Sequence, residues 1–161
     1  VSVNVMFVCL GNICRSPTAH GLFAAKVEQA GLSGHIQVRS GGTGGWHVGD
    51  PPDERSVRVA LERGIDLSHL RASQVSSRDF HSCDYMLAMD AANLADLRRM
   101  APPAYPGVLD LFLTFAADSG YREVPDPYYG GEDGFQLVVD LIEAASDGLL
   151  QHIRRHQLGQ G

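Results

Sequence analysis

The stretch "MFVCLGNICRSPTAH", residues 6–20, sets Cys9, Cys14, Arg15 and Ser16 between an apolar run and a helix-like run. Three chemistries use such residues: a disulfide, half of a metal site, or a thiol nucleophile in an anion cradle. The spacing favours the third. The seven residues Cys9 to Arg15 can turn tightly with their N–H groups inward, a nest that holds a tetrahedral oxyanion. A helix starting just beyond adds partial positive charge at the same place. Cys9, at the base of the loop, then faces N–H donors, a helix end and Arg15, all of which favour the thiolate. Arg15 can grip two phosphoryl oxygens with its planar fork. Together these residues suit in-line displacement at phosphorus by a cysteine.

The neighbours fit the same loop. Ser16 can cap the helix and donate a hydrogen bond to the Cys9 sulfur, and Pro17 suits the first helical position. Gly11 supplies backbone freedom, while Asn12 tolerates a left-handed conformation and can brace the loop with its amide. No Gly-Lys-Ser/Thr follows, so this is not a nucleotide-binding P-loop of that type. The chain has three cysteines, Cys9, Cys14 and Cys83, a number that does not describe a disulfide scaffold. For zinc, only Cys83 and scattered histidines remain as further ligands, so neither a metal nor a cofactor is expected. Cys14 taken alone also reads as a small core residue.

The elements that must position this loop follow from hydrophobic period. Val3 to Val8 reads as a buried strand, and Pro17 to Ala30 as a helix ending at Gly31. A short strand, Ile36 to Arg39, leads into a glycine-rich loop, Ser40 to Pro52. Asp53 can cap a helix that buries Val57, Ala60 and Leu61 and ends at Gly64. Ser77 starts a short helix, and Asp84 to Met89 reads as another buried strand. Asp90 caps a helix from Ala91 to Met100, and Val108 to Leu113 gives a fourth strand. Ala116 to Glu132 reads as an irregular loop before a strong helix from Gly134 to about His156. Strands alternating with helices predict one α/β domain spanning residues 1–161, with an open four-stranded parallel sheet and helices on both faces. Ligands of such sheets bind at the carboxyl ends of the strands, where Cys9 stands.

Composition narrows the partners. The 161 residues fit one domain, and 44% hydrophobic residues suffice for a real core. A formal net charge of −6 argues against nucleic acid, which needs a basic face. No apolar run approaches the ~20 residues of a membrane span, and the first one lacks a basic leader, so a cytoplasmic protein is expected. A monomer or weak dimer is the expected state. His20, His35, His47, His81, His152 and His156 show no metal-site spacing and read as surface or helix-face residues.

"VCLGNICRSP" resembles the phosphate loop of the low-molecular-weight protein tyrosine phosphatases, whose pattern is Cys-x5-Arg-Ser. The resemblance runs along essentially the whole chain. "SGGTGGWHVGDPPDERS" is similar to the family's second loop, "MLAMDAANL" to the end of its third strand, and "DPYYGG" to its acid loop. It implies a phosphatase acting on phosphotyrosine in proteins and on small aryl phosphates, through a phosphocysteine intermediate. Cys9 would be the nucleophile, Arg15 the transition-state clamp, and Asp126 the general acid and then base. Leu10, Gly11, Asn12, Ile13, Cys14 and Ser16 would line the phosphate, which inorganic phosphate or another oxyanion can replace. Trp46, Tyr128 and Tyr129 would wall the cleft, and Asn12, Ser40 and His69 would form a buried network holding the loop. Cys14 would guard Cys9 through a reversible disulfide. Two departures stand out: Gly41, where the family often has alanine, is expected to loosen the loop behind the site, and His20 stands where the family often has glutamate. Two other readings use the same residues. An arsenate reductase of this fold needs two further cysteines, and only Cys83 lies downstream of the loop. A non-catalytic phosphate-binding module would have no need of Asp126.

Overall fold

A computed structural model describes residues 2–128 and 131–159. Four strands, β1 (Val3–Cys9), β2 (Ile36–Gly42), β3 (Tyr85–Ala88) and β4 (Val108–Leu111), form one sheet in the order β2-β1-β3-β4. Every pairing is parallel, with Val5 opposite both Val38 and Tyr85. Chain order reverses at β1, so a crevice opens beyond the carboxyl ends of β1 and β3.

β1 supplies the core on both faces, as its unbroken apolar run requires. Val3, Val5 and Phe7 face a layer built by α1 (Arg15–Gln29) and α5 (Glu132–His156). Met6 and Val8 face a smaller layer with α3 (Asp79–Ser82) and α4 (Ala91–Met100). Phe7 anchors the larger layer, with ring centroids 5.6 Å from Phe23 and 4.8 Å from Phe112. The stripe expected on α5 is buried at Phe135, Val138, Val139, Ile142, Leu149 and Ile153.

The structure corrects several expected boundaries. β2 runs on to Gly42, so Ser40 and Gly41 lie in a strand rather than a loop. Gly41 does not loosen that region: a Cβ there would stand 2.6 Å from Met6 Cε and 3.0 Å from Val75 Cγ2, so its bare backbone permits close packing. On α2 (Glu54–Glu62), Val59 and Ala60 are buried, while Leu61 is exposed. The fourth strand stops at Leu111, and Phe112–Ser119 winds in 3-10 turns with a kink at Ala116. That tighter path buries Phe112 and Leu113 together on one face of the sheet, which strand alternation would not allow.

Candidate active site

The phosphate loop is shaped by where its carbonyl groups go. The carbonyls of Cys9, Leu10 and Ile13 accept from the amides of Thr43 (2.9 Å), Gly44 (2.9 Å) and Asp53 (2.8 Å). A trans peptide points its N–H opposite to its C=O. The amides of Leu10, Gly11 and Cys14 are thereby turned to the inner side of the loop. Asn12 takes a left-handed turn at φ 56°, and its amide donates to Cys9 Sγ at 3.3 Å. Its side chain works in both directions, donating to Ser16 Oγ at 2.7 Å and accepting from the Ser73 amide at 2.9 Å.

Ser16 is not a helix cap. α1 starts at Arg15, and its N-cap position is Cys14, with no side-chain hydrogen bond to the first turn. The Ser16 hydroxyl instead lies 3.0 Å from Cys9 Sγ, fully buried. The first-turn amides stay available to an anion, a use that a capping side chain would have blocked. Asn12 and Ser16 thus stand behind the sulfur and hold it, rather than facing a ligand. Gly11 does not adopt a positive φ; its role is close approach, since a Cβ there would lie 3.0 Å from His47 Cδ2.

A cavity of about 340 Å³ opens above Cys9, large enough for an aryl phosphate. Cys9, Leu10, Gly11, Ile13, Cys14 and Arg15 line its floor, and Trp46, His47, Asp126 and Tyr128 its mouth. Trp46 is 73% exposed and Tyr128 is 40% exposed, so two aromatic faces are presented at the rim. Tyr129 lies outside the described residues. His47, read as a surface histidine, proves to be a rim residue whose Nδ1 sits 3.2 Å from Asp50 Oδ2.

Arg15 is a buried cation, 3% exposed, and its partners come from distant elements. Nη1 donates to Asp90 Oδ2 at 2.6 Å and to the Val124 carbonyl at 3.0 Å. Nη2 faces Asp126 Oδ2 at 3.6 Å. One arm is therefore fixed by the protein, and the other is turned toward the cavity. Asp90 performs two tasks, because Oδ1 also caps α4 through the Asn93 amide. Only the cap was legible beforehand; the pairing with Arg15 depends on β3 lying beside β1. Asp126 is held through Oδ1, which accepts from the Tyr128 amide at 3.0 Å.

The supporting network differs from the expected one. Ser40 Oγ pairs with His20 Nδ1 at 3.0 Å, so His20 is no simple helix-face residue. Burial, with a further push from His69, lowers the His20 pKa to about 4 and keeps the ring neutral. His69 itself is exposed, not part of a buried network. The link from Ser40 to the loop runs instead through Ser73, whose hydroxyl donates to the Ser40 carbonyl at 3.1 Å. Cys9, Cys14 and Cys83 are all free thiols, and the described residues hold no group of three or more metal-ligating side chains. Burial, then Asp53, pushes the Cys14 pKa up to about 12.

A family model described as low molecular weight phosphotyrosine protein phosphatase matches residues 4–158. The chain belongs to this family. A low molecular weight protein-tyrosine-phosphatase of Streptomyces coelicolor is 42% identical, the match covering 99% of each chain. The crystal structure of YfkJ from Bacillus subtilis is 39% identical, covers 98% of both chains and superposes with a TM-score of 0.91. A protein tyrosine phosphatase from Entamoeba histolytica, solved with Hepes in its active site, is 36% identical, with a TM-score of 0.92 over 96% of this chain and 98% of that one. The matched span includes Cys9, Arg15, Ser16 and Asp126.

Proposed function

We propose that this member of the phosphatase family hydrolyses phosphotyrosine in proteins, and small aryl phosphates, through a phosphocysteine intermediate. The observation that carries this is the meeting of Cys9, Arg15 and Asp126 in one cavity whose floor is a nest of backbone amides. The Cys9 thiolate attacks phosphorus along the axis of the loop. The equatorial oxygens settle on the inward amides and on the free arm of Arg15, where charge develops in the transition state. Ser16 and the Asn12 amide hold the sulfur in line. Asp126, displaced from Arg15 by the incoming phosphate, protonates the leaving phenolate. The same carboxylate then takes a proton from water as that water cleaves the sulfur–phosphorus bond and releases inorganic phosphate.

Asp126→Ala is expected to lower kcat/KM on a phosphotyrosine peptide about a hundredfold, the low end of what a positioned general acid supplies. Steady-state phosphate release measures this, and an unchanged rate removes Asp126 from the role. Trapping phosphoproteins on this variant also names the substrates. The aromatic rim supports an aryl ester over an alkyl one, and the sulfonate buffer in the Entamoeba relative's active site supports an oxyanion site. The absence of a third cysteine near Cys9 and Cys14 weighs against arsenate reduction, and the placement of Asp126 weighs against a purely binding role.

Cys14 is the reading's redox element. Peroxide oxidises the Cys9 thiolate to a sulfenic acid, releasing hydroxide. The Cys14 thiol then condenses with it, forming the disulfide and releasing water. Activity of the wild type should return on reduction after a peroxide pulse, while Cys14→Ser should lose most of it permanently. Equal recovery of the two proteins removes this role.

A further inference from the structure

Asp126 stands in a segment held at two points. Upstream, Val124 donates its amide to the Met89 carbonyl at 2.8 Å and accepts from Arg15 at 3.0 Å. Downstream, the Tyr128 carbonyl accepts from Arg55 Nη2 at 3.1 Å. The amide of the same Tyr128 donates to Asp126 Oδ1, so whatever fixes this residue fixes the carboxylate.

Arg55 is well placed to do so. Its Nε and Nη2 grip Asp53 Oδ1 at 3.1 Å and Oδ2 at 3.0 Å in a fork. Burial of Asp53 works against ionisation, but the Arg55 hydrogen bonds outweigh it and hold the carboxyl below the usual carboxylate range. The guanidinium carbon lies 5.5 Å from the Tyr128 ring centroid and 4.6 Å from that of Phe135 on α5. Asp53, in turn, donates its amide to the Ile13 carbonyl, one of the bonds that turns the phosphate loop inward. One short segment thereby touches the phosphate loop through Asp53 and the acid loop through Arg55.

We infer that Arg55 is a positioning residue for the general acid, setting Asp126 at a fixed height over the phosphate loop by holding Tyr128. The inference rests on the phosphatase reading above and names a residue that neither binds phosphate nor exchanges a proton. A planar fork is needed for the task, because one cation must serve a bidentate carboxylate, a carbonyl and two rings at once.

The test compares leaving groups. Phenyl phosphate expels a poor leaving group and depends on the acid, whereas p-nitrophenyl phosphate expels a far more acidic phenol and depends on it little. Arg55→Ala is expected to lower kcat/KM about tenfold on phenyl phosphate and less than about twofold on p-nitrophenyl phosphate. Arg55→Lys keeps the charge but not the fork, and should lose an intermediate amount on phenyl phosphate only. In an Asp126→Ala background, Arg55→Ala should add no further discrimination between the two esters, since its effect runs through Asp126. Equal losses on both esters, or discrimination that persists without Asp126, overturn the assignment of Arg55 and leave the phosphatase reading intact. A wild-type protein that hydrolyses neither ester overturns that reading and this inference with it.

Discussion

Cys9→Ser is expected to lower kcat on phosphotyrosine peptides at least about ten-thousandfold. The reason lies in what surrounds the sulfur. The cavity offers amide donors, a helix start and Arg15, all of which favour negative charge at that position. Among the described residues, the sulfur of Cys9 meets the Ser16 hydroxyl and the Asn12 amide, neither of which is a base that would deprotonate a hydroxyl. A thiol ionises under such influences and a serine hydroxyl does not. The exchange is nearly isosteric, so the loop and its bonds to Thr43, Gly44 and Asp53 should persist. Binding of inorganic phosphate to the variant, followed by calorimetry, should therefore stay within about a few-fold of the wild type, while quenching during turnover should yield no phosphoenzyme. Appreciable hydrolysis by this variant would sink the assignment of the nucleophile.

Arg15→Lys is expected to cost about a thousandfold in kcat/KM, the range seen when a charged or preorganised donor to a transferring phosphoryl group is lost. Arg15 divides its fork, with Nη1 spent on Asp90 and the Val124 carbonyl and Nη2 facing the cavity. A lysine has one nitrogen for both tasks. If it follows Asp90, the phosphoryl oxygens lose their clamp; if it turns to the phosphate, Asp90 and Val124 lose their partner. The first choice is favoured before substrate arrives, so the loss should appear chiefly in kcat rather than KM. A variant with wild-type kcat would show that Arg15 serves the fold alone. Pairing the measurement with thermal unfolding separates the two costs, because only the second choice releases Asp90.

The parts of this site that one loop contains were legible in the sequence, and the parts made by strand order were not. Cys9, Arg15 and Ser16 lie within a single turn of chain, where spacing alone dictates geometry. Even there Ser16 plays only half of its expected role: its hydroxyl meets the Cys9 sulfur as expected, but it is not the cap that a serine before a proline resembles. Asp90 was legible as a cap, but its second oxygen meets Arg15 only because β3 pairs with β1. Ser73 and Asp53 brace the loop through backbone amides that any residue type carries, and Arg55 acts through a guanidinium whose partners lie on other segments. His20 was misjudged for a related reason: helical period places it on a face, but only the neighbouring strand decides that this face meets Ser40. The fold was more legible than the site. Its strands and helices follow from apolar period; Ser40 and Gly41 read as a loop because glycine interrupts that pattern, and Phe112–Ser119 is misplaced because consecutive apolar residues look alike in a strand and in a tight helical turn.

The loop that holds Cys9 comes before every segment that braces it: residues 43, 44, 53 and 73 hold it in shape, and residues 90 and 124 hold its arginine. Contacts of such long sequence separation form late, after loop-closure entropy has been overcome. Cys9 therefore leaves the ribosome before the residues that turn the loop amides inward, and before those that fix Arg15. The far-reaching braces thus set an order of assembly, in which residues 43–73 can close the loop before residues 90 and 124 fix its arginine.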